Sequence, residues 1–439
     1  MSPASTANAS PPAADLQFDV GSTPDSLERM IQLFARHGDV YRVFVPSRRS
    51  YSYVIHHPDD VKRVLVSNHR NYTKGVGIDR IKLLLGNGIM TSEGDLWTRQ
   101  RYMMQPMFHR RVITEFANVI DDVNERYIAR WETLARSGEP INVTDETSEL
   151  TLEIVMRSIL GRDLDRLVQR LGVNPFEVVA KDPARNLEFV IKFRALAKVL
   201  LEVIRQRRSS SEEHFDFLAM LMSARDKESG AGMSEVELVN EAMTLIVAGH
   251  ETTASGLNWS WYLLSEHPAV AARLYAEIDA TAAAPAPSLA AMEALTYTQQ
   301  VVSETLRLYP PGWVLFRRTI EADVLGGYEV PPNTNVLLPL YLTHRHPDFW
   351  QQPEKFSPER FAPEHEADRP RFAYMPFAAG PRHCIGESLA LYEILMHLYK
   401  VARHYRFTYV PDRPIELEAG INLRTRYPLH MRLERRSGK

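Results

Sequence analysis

The segment from Ser234 to Glu266 constrains the fold more than any other part of the sequence. Ser234 followed by Glu237 forms a capping box, which is typical of helix N-termini, and no proline interrupts the chain before Pro268. A helix over these residues would be about 50 Å long, since each residue adds about 1.5 Å. The segment is apolar on most sides through AMTLIVAG, so we expect the helix to cross the middle of the molecule.

The other segments predict a mainly α protein with a smaller β part. Val40 to His57 alternates and is rich in valine and tyrosine, which predicts a strand hairpin. Most of the chain from Pro58 to about Leu308 carries helical periodicity, apart from an alanine- and proline-rich loop from Ala282 to Pro287. Gly326-Gly327 marks a turn in a second β region, a helix follows Gly386, and the C-terminal segment predicts short strands.

Composition and charge exclude several classes of protein. A net charge of −3 gives no basic excess for phosphates, so we expect no nucleic-acid partner. No apolar run approaches the ~18 residues of a membrane span, and the N-terminus lacks the pattern of a signal peptide. A single cysteine excludes an internal disulfide and suits a reducing compartment. We therefore predict a monomeric cytoplasmic protein without a transmembrane segment, with 1–21 as a disordered tail and 22–439 as one domain.

The only cysteine, Cys384, lies in the loop FAAGPRHCIG. A lone cysteine is usually a small buried hydrophobe, and a nucleophile would need a base better placed than the adjacent His383. The helix that follows favours a thiolate, and two flanking glycines let the backbone approach a bulky group. A thiolate bound to haem iron pushes electron density towards the metal and favours O–O cleavage, and Arg382 could meet a haem propionate.

This loop resembles the haem-binding signature of the cytochromes P450, Phe-x-x-Gly-x-Arg-x-Cys-x-Gly. Its fixed positions are matched by Phe377, Gly380, Arg382, Cys384 and Gly386. The resemblance extends roughly from residue 22 to the C-terminus. It implies the P450 fold, with the long helix crossing over a bound haem b, and it makes the cysteine the ligand of the iron.

The sequence AGHETT, at residues 248–253, resembles the oxygen-activation motif of the same family. Small Ala248 and Gly249 would leave room over a flat cofactor. Thr252 can use its hydroxyl to disturb the helical hydrogen bonds, and Glu251 can supply protons to a groove for O₂ and water. We therefore predict Glu251 and Thr252 as the catalytic residues, which relay protons for cleavage of the O–O bond.

A third motif, ETLR, contains Glu304 and Arg307 three residues apart. Such a pair usually lies on the surface and is worth a few tenths of a kcal/mol. The resemblance instead implies a buried trio with Arg360 of FSPERF, in which loss of one member would cost about 3–5 kcal/mol. We assign these three residues to folding and not to chemistry.

Two further motifs resemble P450 contacts to the haem propionates. Trp97 and Arg101 are four residues apart and share a helix face, as in the family's Trp-x-x-x-Arg. In WVLFRRTIEAD, counting from Pro311 favours Arg317 and counting back from Asp323 favours Arg318. Strand alternation allows only one to point inward, and we favour Arg318. By the same resemblance, the substrate would pass three apolar residues, Val314, Leu315 and Phe316.

The implied function is a haem-thiolate monooxygenase that hydroxylates a small, largely apolar organic substrate, such as a terpenoid, fatty acid, steroid or polyketide, with O₂. The chain shows no flavin or nucleotide signature, so the electrons would come from a separate ferredoxin with its reductase or from a flavoprotein reductase. This donor would dock where arginines supply positive charge, namely Arg99, Arg110, Arg111 and Arg382.

Two alternatives to this function are considered. A peroxide-driven haem-thiolate peroxygenase would not need the acid and alcohol at 251 and 252. A non-catalytic haem-binding sensor would be expected to lack one of them. The pocket would also involve the region after Asn71 and the segment from Leu167 to Ile204, but apolar residues there discriminate little between substrates.

Overall fold

A computed structural model describes residues 10–21, 23–181, 187–281 and 289–436. The predicted loop from Ala282 to Pro287 lies outside the described residues, as does residue 22, where we expected order to begin. The predicted pocket segment from Leu167 to Ile204 is described except for residues 182–186.

The helices of the described chain follow, in order. They are α1 Ser26–His37, α2 Pro58–Lys62, α3 Ile78–Leu85, α4 Gly94–Met104, α5 Arg110–Glu115, α6 Ala117–Ser137, α7 Val143–Leu160, α8 Arg162–Leu171, α9 Val178–Lys181, α10 Leu187–Ser209, α11 Phe217–Ser223, α12 Glu235–Glu266, α13 Pro268–Thr281, α14 Leu289–Ala294, α15 Thr296–Leu308, α16 Leu340–Thr343 and α17 Glu387–His404.

The strands are short and concentrate towards the two ends of the chain. They are β1 Ala13–Gln17, β2 Val40–Val45, β3 Ser50–Ile55, β4 Tyr72–Thr73, β5 Ile141–Asn142, β6 Leu315–Thr319, β7 Asp323–Leu325, β8 Tyr328–Val330, β9 Asn335–Leu338, β10 Tyr405–Tyr409, β11 Leu417–Ala419, β12 Leu423–Thr425 and β13 His430–Arg435. The predicted fold class, mainly α with a smaller β part, is confirmed.

The chain divides into two compact units. The sheet unit comprises the described residues within Met1–Ile78, Gln300–Cys384 and Ile415–Tyr427. The helix unit comprises those within Asp79–Gln299, Ile385–Pro414 and Pro428–Lys439. The assignment of 22–439 to one haem domain stays a prediction.

The sheet unit is built on a six-stranded sheet in the order β1-β2-β3-β9-β6-β4. β2 and β3 form the predicted antiparallel hairpin, while β3 pairs in parallel with β9. Gly326 and Gly327 form the turn between β7 and β8, and their φ angles of +54° and +81° suit a tight hairpin turn. Aromatic and aliphatic side chains fill the core beside the sheet, among them Tyr41 and Trp313, which are 0% exposed.

Strand β1 corrects the predicted disordered tail. Ala13 and Gln17 pair in parallel with Arg42 and Phe44 of β2, and Phe18 is buried in the core beside them. Edge pairing and burial of one aromatic ring therefore order a segment whose composition is typical of disorder. The prediction of a tail is wrong for residues 10–21, and residues 1–9 lie outside the described chain.

The helix unit contains the predicted long helix, α12. Ser234 and Glu237 form both hydrogen bonds of the capping box, at 3.3 Å and 2.8 Å, and the helix ends at Glu266 before Pro268 begins α13. α12 packs along α7 and is buried on most sides, with Trp259 and Trp261 both 0% exposed. The predicted start, end and burial of this helix are confirmed.

Candidate active site

The loop that carries Cys384 is closed on itself within the sheet unit. The Cys384 N–H donates to the Phe377 carbonyl at 3.0 Å, and the His383 N–H donates to the Gly380 carbonyl at 3.0 Å. Cys384 itself is exposed. The thiol is therefore held by a short, hydrogen-bonded loop, and it is not the small buried hydrophobe that a lone cysteine usually is.

Gly380 is required at its position for two reasons. Its φ of +73° lies in the left-handed region, and an added Cβ would lie 2.0 Å from the Leu65 carbonyl oxygen. That carbonyl belongs to a π-helical turn, Arg63–Ser67, against which the cysteine loop packs. Ala378 also has a positive φ, +61°, although it carries a side chain.

Arg382 is anchored from its own unit. Its Nη1 donates to the Tyr72 carbonyl at 2.9 Å, and the Tyr72 hydroxyl donates to Asp323 at 2.5 Å. Arg63 and Asn68 also donate to this carboxylate, at 2.6 Å and 2.9 Å. Burial alone would raise the pKa of Asp323, but the hydrogen bonds from Arg63 and Tyr72 outweigh it and hold that pKa below its usual range. The guanidinium is thus oriented by backbone and by a buried network.

Sequence reasoning missed this network around Asp323. Tyr72 and Asp323 are 251 residues apart, so no local pattern links them. The pairing of β4 with β6 brings the two chain segments together. To find the network from the sequence, one would have had to predict that β4 pairs with β6. Strands of two and five residues are too short to give a strong sequence pattern.

The adjacent arginines of β6 face opposite ways, as alternation predicted. Arg317 is 7% exposed, and its Nη1 donates to the Phe316 carbonyl at 2.8 Å. Arg318 is half-buried, and its Nε donates to Asn335 Oδ1 of β9 at 3.1 Å. Arg317 is therefore the more buried of the two, while the preference for Arg318 as the propionate partner stays a prediction.

Two of the three apolar residues predicted near the substrate begin β6, and Val314 immediately precedes that strand. Val314, Leu315 and Phe316 are each half-buried. Leu315 and Phe316 pair with Leu338 and Leu337 of β9. These positions are fixed by sheet pairing, while their contact with a substrate stays a prediction.

Glu304, Arg307 and Arg360 are brought together in the sheet unit. Arg307 donates from Nε and Nη2 to the two oxygens of Glu304 at 2.7 Å and 2.8 Å, and both side chains are 0% exposed. Arg360 Nε and the Ser357 N–H add bonds to the same carboxylate at 3.2 Å and 2.9 Å. Arg307 also donates to three backbone carbonyls, those of His344, Pro353 and Lys355. The buried charges are paired, as a buried ionic group requires.

In the helix unit, α12 carries one half-exposed stripe through its buried length. Leu245, Ala248, Glu251 and Thr252 are half-buried, and their spacing of three to four residues places them on one side of the helix. His250 points away from this stripe and is buried, with 3% of it exposed. The stripe thus presents a small residue, an acid and an alcohol together.

The hydroxyl of Thr252 donates to the Ala248 carbonyl at 2.7 Å and α12 continues without interruption, so the predicted disturbance of its helical hydrogen bonds stays a prediction. His250 Nε2 lies 2.9 Å from Ser148 Oγ of α7. A Cβ added to Gly249 would lie 2.9 Å from Val155 of α7. Gly249 therefore has a packing role that the motif did not indicate, since it lets the two helices approach.

Trp97 and Arg101 lie one turn apart on α4, as predicted, and both are half-buried. The indole packs against the apolar core of the helix unit. Arg99 of the same helix pairs with Glu237 at 2.5 Å, and Arg110 pairs with Glu293. Two of the four arginines expected to attract an electron donor are therefore in ion pairs, and the docking site stays a prediction.

The donor set suits haem better than a bare metal ion. Over the described ranges, no group of three or more His, Cys, Asp or Glu side chains is placed to hold an ion. The exposed Cys384 thiol would supply one ligand, which is all that iron needs from the protein when a macrocycle supplies the rest. Arg317 and Arg382 of the sheet unit are cations suited to propionate groups. Gly386, the last glycine of the signature, is the N-cap of α17.

Comparisons with known proteins find similarity over nearly the whole chain. The family model described as Cytochrome P450 matches residues 16–426. Cyclooctatin synthase of Streptomyces melanosporofaciens is 34% identical over 90% of this chain and 88% of its own. Cyclooctat-9-en-7-ol 5-monooxygenase of the same organism is 32% identical over 89% and 88%. Pentalenene oxygenase of Streptomyces avermitilis is 29% identical over 87% of both chains.

Solved structures share the fold. The heme domain of cytochrome P450DA has a TM-score of 0.84 with 22% identity and covers 98% of both chains. A cytochrome P450 called CYP102L1 has a TM-score of 0.86 with 22% identity, over 98% of this chain and 100% of its own. None of the helices in the described residues has the length and apolar character needed to span a membrane.

Proposed function

This chain belongs to the cytochrome P450 family, and from that premise we propose that it transfers one oxygen atom of O₂ to a cyclic, apolar terpenoid. The chain is a haem monooxygenase, like its relatives named monooxygenase and oxygenase, and it acts with an organic substrate, O₂ and a redox partner. The proposal concerns the class of substrate, the residues that carry the reaction and the source of electrons.

The names of the relatives support a terpenoid substrate. One relative is named for cyclooctat-9-en-7-ol and another for pentalenene, which are a cyclic alcohol and a cyclic alkene. The helix unit offers apolar side chains of matching character, since Ile81, Leu245 and Val247 are only partly buried against its core. Apolar walls favour such a ligand by removing its hydrocarbon surface from water.

The hydrogen bond from Thr252 to the Ala248 carbonyl is the observation that carries the proposed proton relay. With its hydrogen donated along the helix, the hydroxyl oxygen is fixed as an acceptor on the half-exposed stripe of α12. Glu251 is the neighbouring acid on that stripe and the source of protons. Presence of both residues favours an O₂-dependent monooxygenase over a peroxygenase or a sensor.

Haem, when bound, would supply the chemistry of O₂ activation and C–H oxidation. We assign Cys384 as the residue that would ligate its iron, in a loop closed by the bond between Cys384 and Phe377. For haem b, the proposed propionate partners are Trp97, Arg101, Arg317 and Arg382. The buried Arg317 is preferred to Arg318.

The electron donor is proposed to be a separate ferredoxin or flavoprotein reductase. A cytoplasmic location is proposed on the single cysteine, which suits a reducing compartment. We also propose a monomer.

The substrate class is tested by ligand binding and turnover. Haem-loaded protein is titrated with polycyclic terpene hydrocarbons, their alcohols and fatty acids, and the shift of the haem absorption band is recorded. The terpenes are expected to bind and to yield products heavier by one oxygen with NAD(P)H, ferredoxin and ferredoxin reductase. Binding of fatty acids alone would overturn the terpenoid proposal, and turnover with peroxide but not with redox partners would overturn the proposed electron route.

Ligation by Cys384 is tested in the reduced protein under CO. Cys384→Ser is expected to lose the red-shifted band of a thiolate-bound haem, because the hydroxyl is a far weaker anionic ligand. His383→Ala, next to it in the loop, is the matched control and is expected to keep the band. A red-shifted band in the Cys384→Ser protein would refute the assignment.

A further inference from the structure

A cleft lies in the helix unit, between α8 and the C-terminal part of α10. Its volume is about 280 Å³. Leu167 of α8 and Val203 of α10 form an apolar floor and are themselves buried in the core, at 4% and 2% exposed. Arg166, Arg170 and His214 stand around this floor. The cleft therefore combines an apolar base with a polar rim that carries two arginines, a histidine and the carboxylate of Glu212.

Arg207 neutralises the carboxylates at the back of the cleft. Its side chain is 4% exposed and donates to Asp163 at 2.7 Å and to Asp216 at 2.7 Å and 2.8 Å. Asp216 is itself the N-cap of α11. These buried groups satisfy one another, while at the rim Arg166 also donates to Asp163 at 3.0 Å and Arg170 pairs with Glu202 at 3.2 Å.

Arg166 already holds a carboxylate at the rim. Its Nη1 and Nη2 donate to the two oxygens of Glu212, each at 2.8 Å, in the two-pronged geometry that a guanidinium forms with a carboxylate. Glu212 lies on the loop between α10 and α11, and its side chain is 32% exposed. An external carboxylate could make the same two bonds in its place.

His214 is a further polar group of the cleft. Its side chain lines the cleft and is 8% exposed. Its Nε2 lies 3.9 Å from Glu212 Oε2, beyond hydrogen-bond distance. The ring nitrogens are not among the buried polar atoms, so a ligand in the cleft could reach them.

We propose that this cleft binds a small organic carboxylate with an aliphatic chain. The carboxylate takes the place of Glu212 at Arg166, with Arg170 and His214 beside it, and the chain lies on Leu167 and Val203. The cleft can hold roughly ten non-hydrogen atoms, because a cavity of about 150 Å³ holds benzene. Octanoate has that size, whereas inorganic phosphate would leave the apolar floor uncovered. The site is independent of the proposed terpenoid reaction.

Calorimetric titration of the haem-loaded full-length protein tests the proposal. The haem pocket is first saturated with an azole that ligates the iron, so that heat from octanoate reports a second site. Octanoate is expected to bind with one equivalent, and 1-octanol and inorganic phosphate are expected to bind at least about tenfold more weakly. Arg166→Gln is expected to weaken octanoate by about tenfold, and Arg225→Gln, an exposed arginine outside the cleft, to leave it unchanged.

Glu212→Gln is expected to change the octanoate affinity in the opposite direction to Arg166→Gln. A gain of affinity cannot be explained by misfolding of the variant. Removal of the competing carboxylate is expected to tighten octanoate binding severalfold. Three results would overturn the proposal: no heat from octanoate in the azole complex, equal binding of octanol, or octanoate affinities that Arg166→Gln and Glu212→Gln leave unchanged. None of these results bears on whether the haem site oxidises a terpenoid.

Discussion

Trp261 donates its indole N–H to Nε2 of His397 at 3.1 Å in the core of the helix unit. The indole can only donate, so Nε2 accepts and Nδ1 carries the proton of the neutral ring. Nδ1 lies 2.8 Å from Asn124 Oδ1, and the Asn124 amide donates in turn to the Ile120 carbonyl at 2.8 Å. This arrangement fixes one neutral tautomer of a fully buried histidine.

We predict from this arrangement that stability falls in mild acid. Burial lowers the pKa of His397, and likewise of His56 and His344, from the ordinary 6.5 to about 3. Between pH 6.5 and 3 the unfolded chain binds protons that the native protein does not, so the free energy of unfolding decreases as the pH falls. Each histidine contributes about 1.4 kcal/mol per pH unit, and the stability is fully retained above pH 6.5.

Thermal unfolding at a series of pH values checks this prediction. His397→Gln is expected to have a lower midpoint at pH 7.5 but a shallower decline between pH 6.5 and 4, because glutamine does not titrate. A decline as steep as that of the unmodified protein would show that His397 does not contribute.

Glu304→Gln is expected to destabilise the sheet unit strongly. The substitution leaves two arginines, Arg307 and Arg360, near an uncharged amide, and loss of one member of a buried pair costs about 3–5 kcal/mol. Chemical denaturation followed by circular dichroism measures the loss. Arg136→Ala is the control, because it breaks an exposed i,i+4 pair with Glu132. It is expected to leave the denaturation midpoint unchanged. Equal effects of the two substitutions would contradict the assignment of the buried trio to folding.

Ala378→Gly is expected to stabilise the cysteine loop. At φ +61° the alanine Cβ costs about 1–2 kcal/mol, which exceeds the ~0.4–1 kcal/mol that glycine adds to the freedom of the unfolded chain. Ala379 is the matched control, because its φ of −152° is extended and suits alanine. Ala379→Gly should therefore lower the unfolding midpoint while Ala378→Gly raises it. A lower midpoint for both would show that Ala378 is not strained.

Thr252→Ala is expected to uncouple reduction from product formation. Without the hydroxyl, consumption of NAD(P)H continues but ends in hydrogen peroxide, and product per NAD(P)H falls by about tenfold. Thr244→Ala is a close control on α12, because the Thr244 hydroxyl makes the same bond, at 2.7 Å, to the carbonyl four residues earlier. Product and peroxide are measured together for both proteins, and a loss of coupling in Thr244→Ala alone would contradict the relay.

The features that the sequence predicted well are encoded within a few residues. The capping box at Ser234 and the absence of proline specify α12. Gly326-Gly327 specifies the turn between β7 and β8, and neither feature depends on distant residues. The spacing of Trp97 and Arg101 likewise places them one turn apart as soon as the segment is helical. In each case the residue types and their spacing within one short segment were sufficient to predict the structure.

The features that sequence reasoning missed depend on partners far along the chain. β1 is ordered by pairing with β2, and Arg317 points inward because of its register against β9. Gly249 is needed because Val155 of α7 approaches it. Neither a strand register nor a close approach between helices can be recognised within one segment, so the greater burial of Arg317 relative to Arg318 could be seen only in the coordinates.

The hydrogen bond from Arg382 to the Tyr72 carbonyl joins residues 310 positions apart. This separation determines when the contact can form during synthesis of the chain. Tyr72 emerges from the ribosome long before Arg382. The N-terminal segment that contains Tyr72 therefore lacks this contact while the intervening helices are synthesised. Contacts of such long range form late, because the loop between them must first be closed. The cysteine loop therefore reaches its anchored shape only after almost the whole chain has been translated, so a haem bound through the proposed ligand Cys384 would be captured late in the maturation of each molecule.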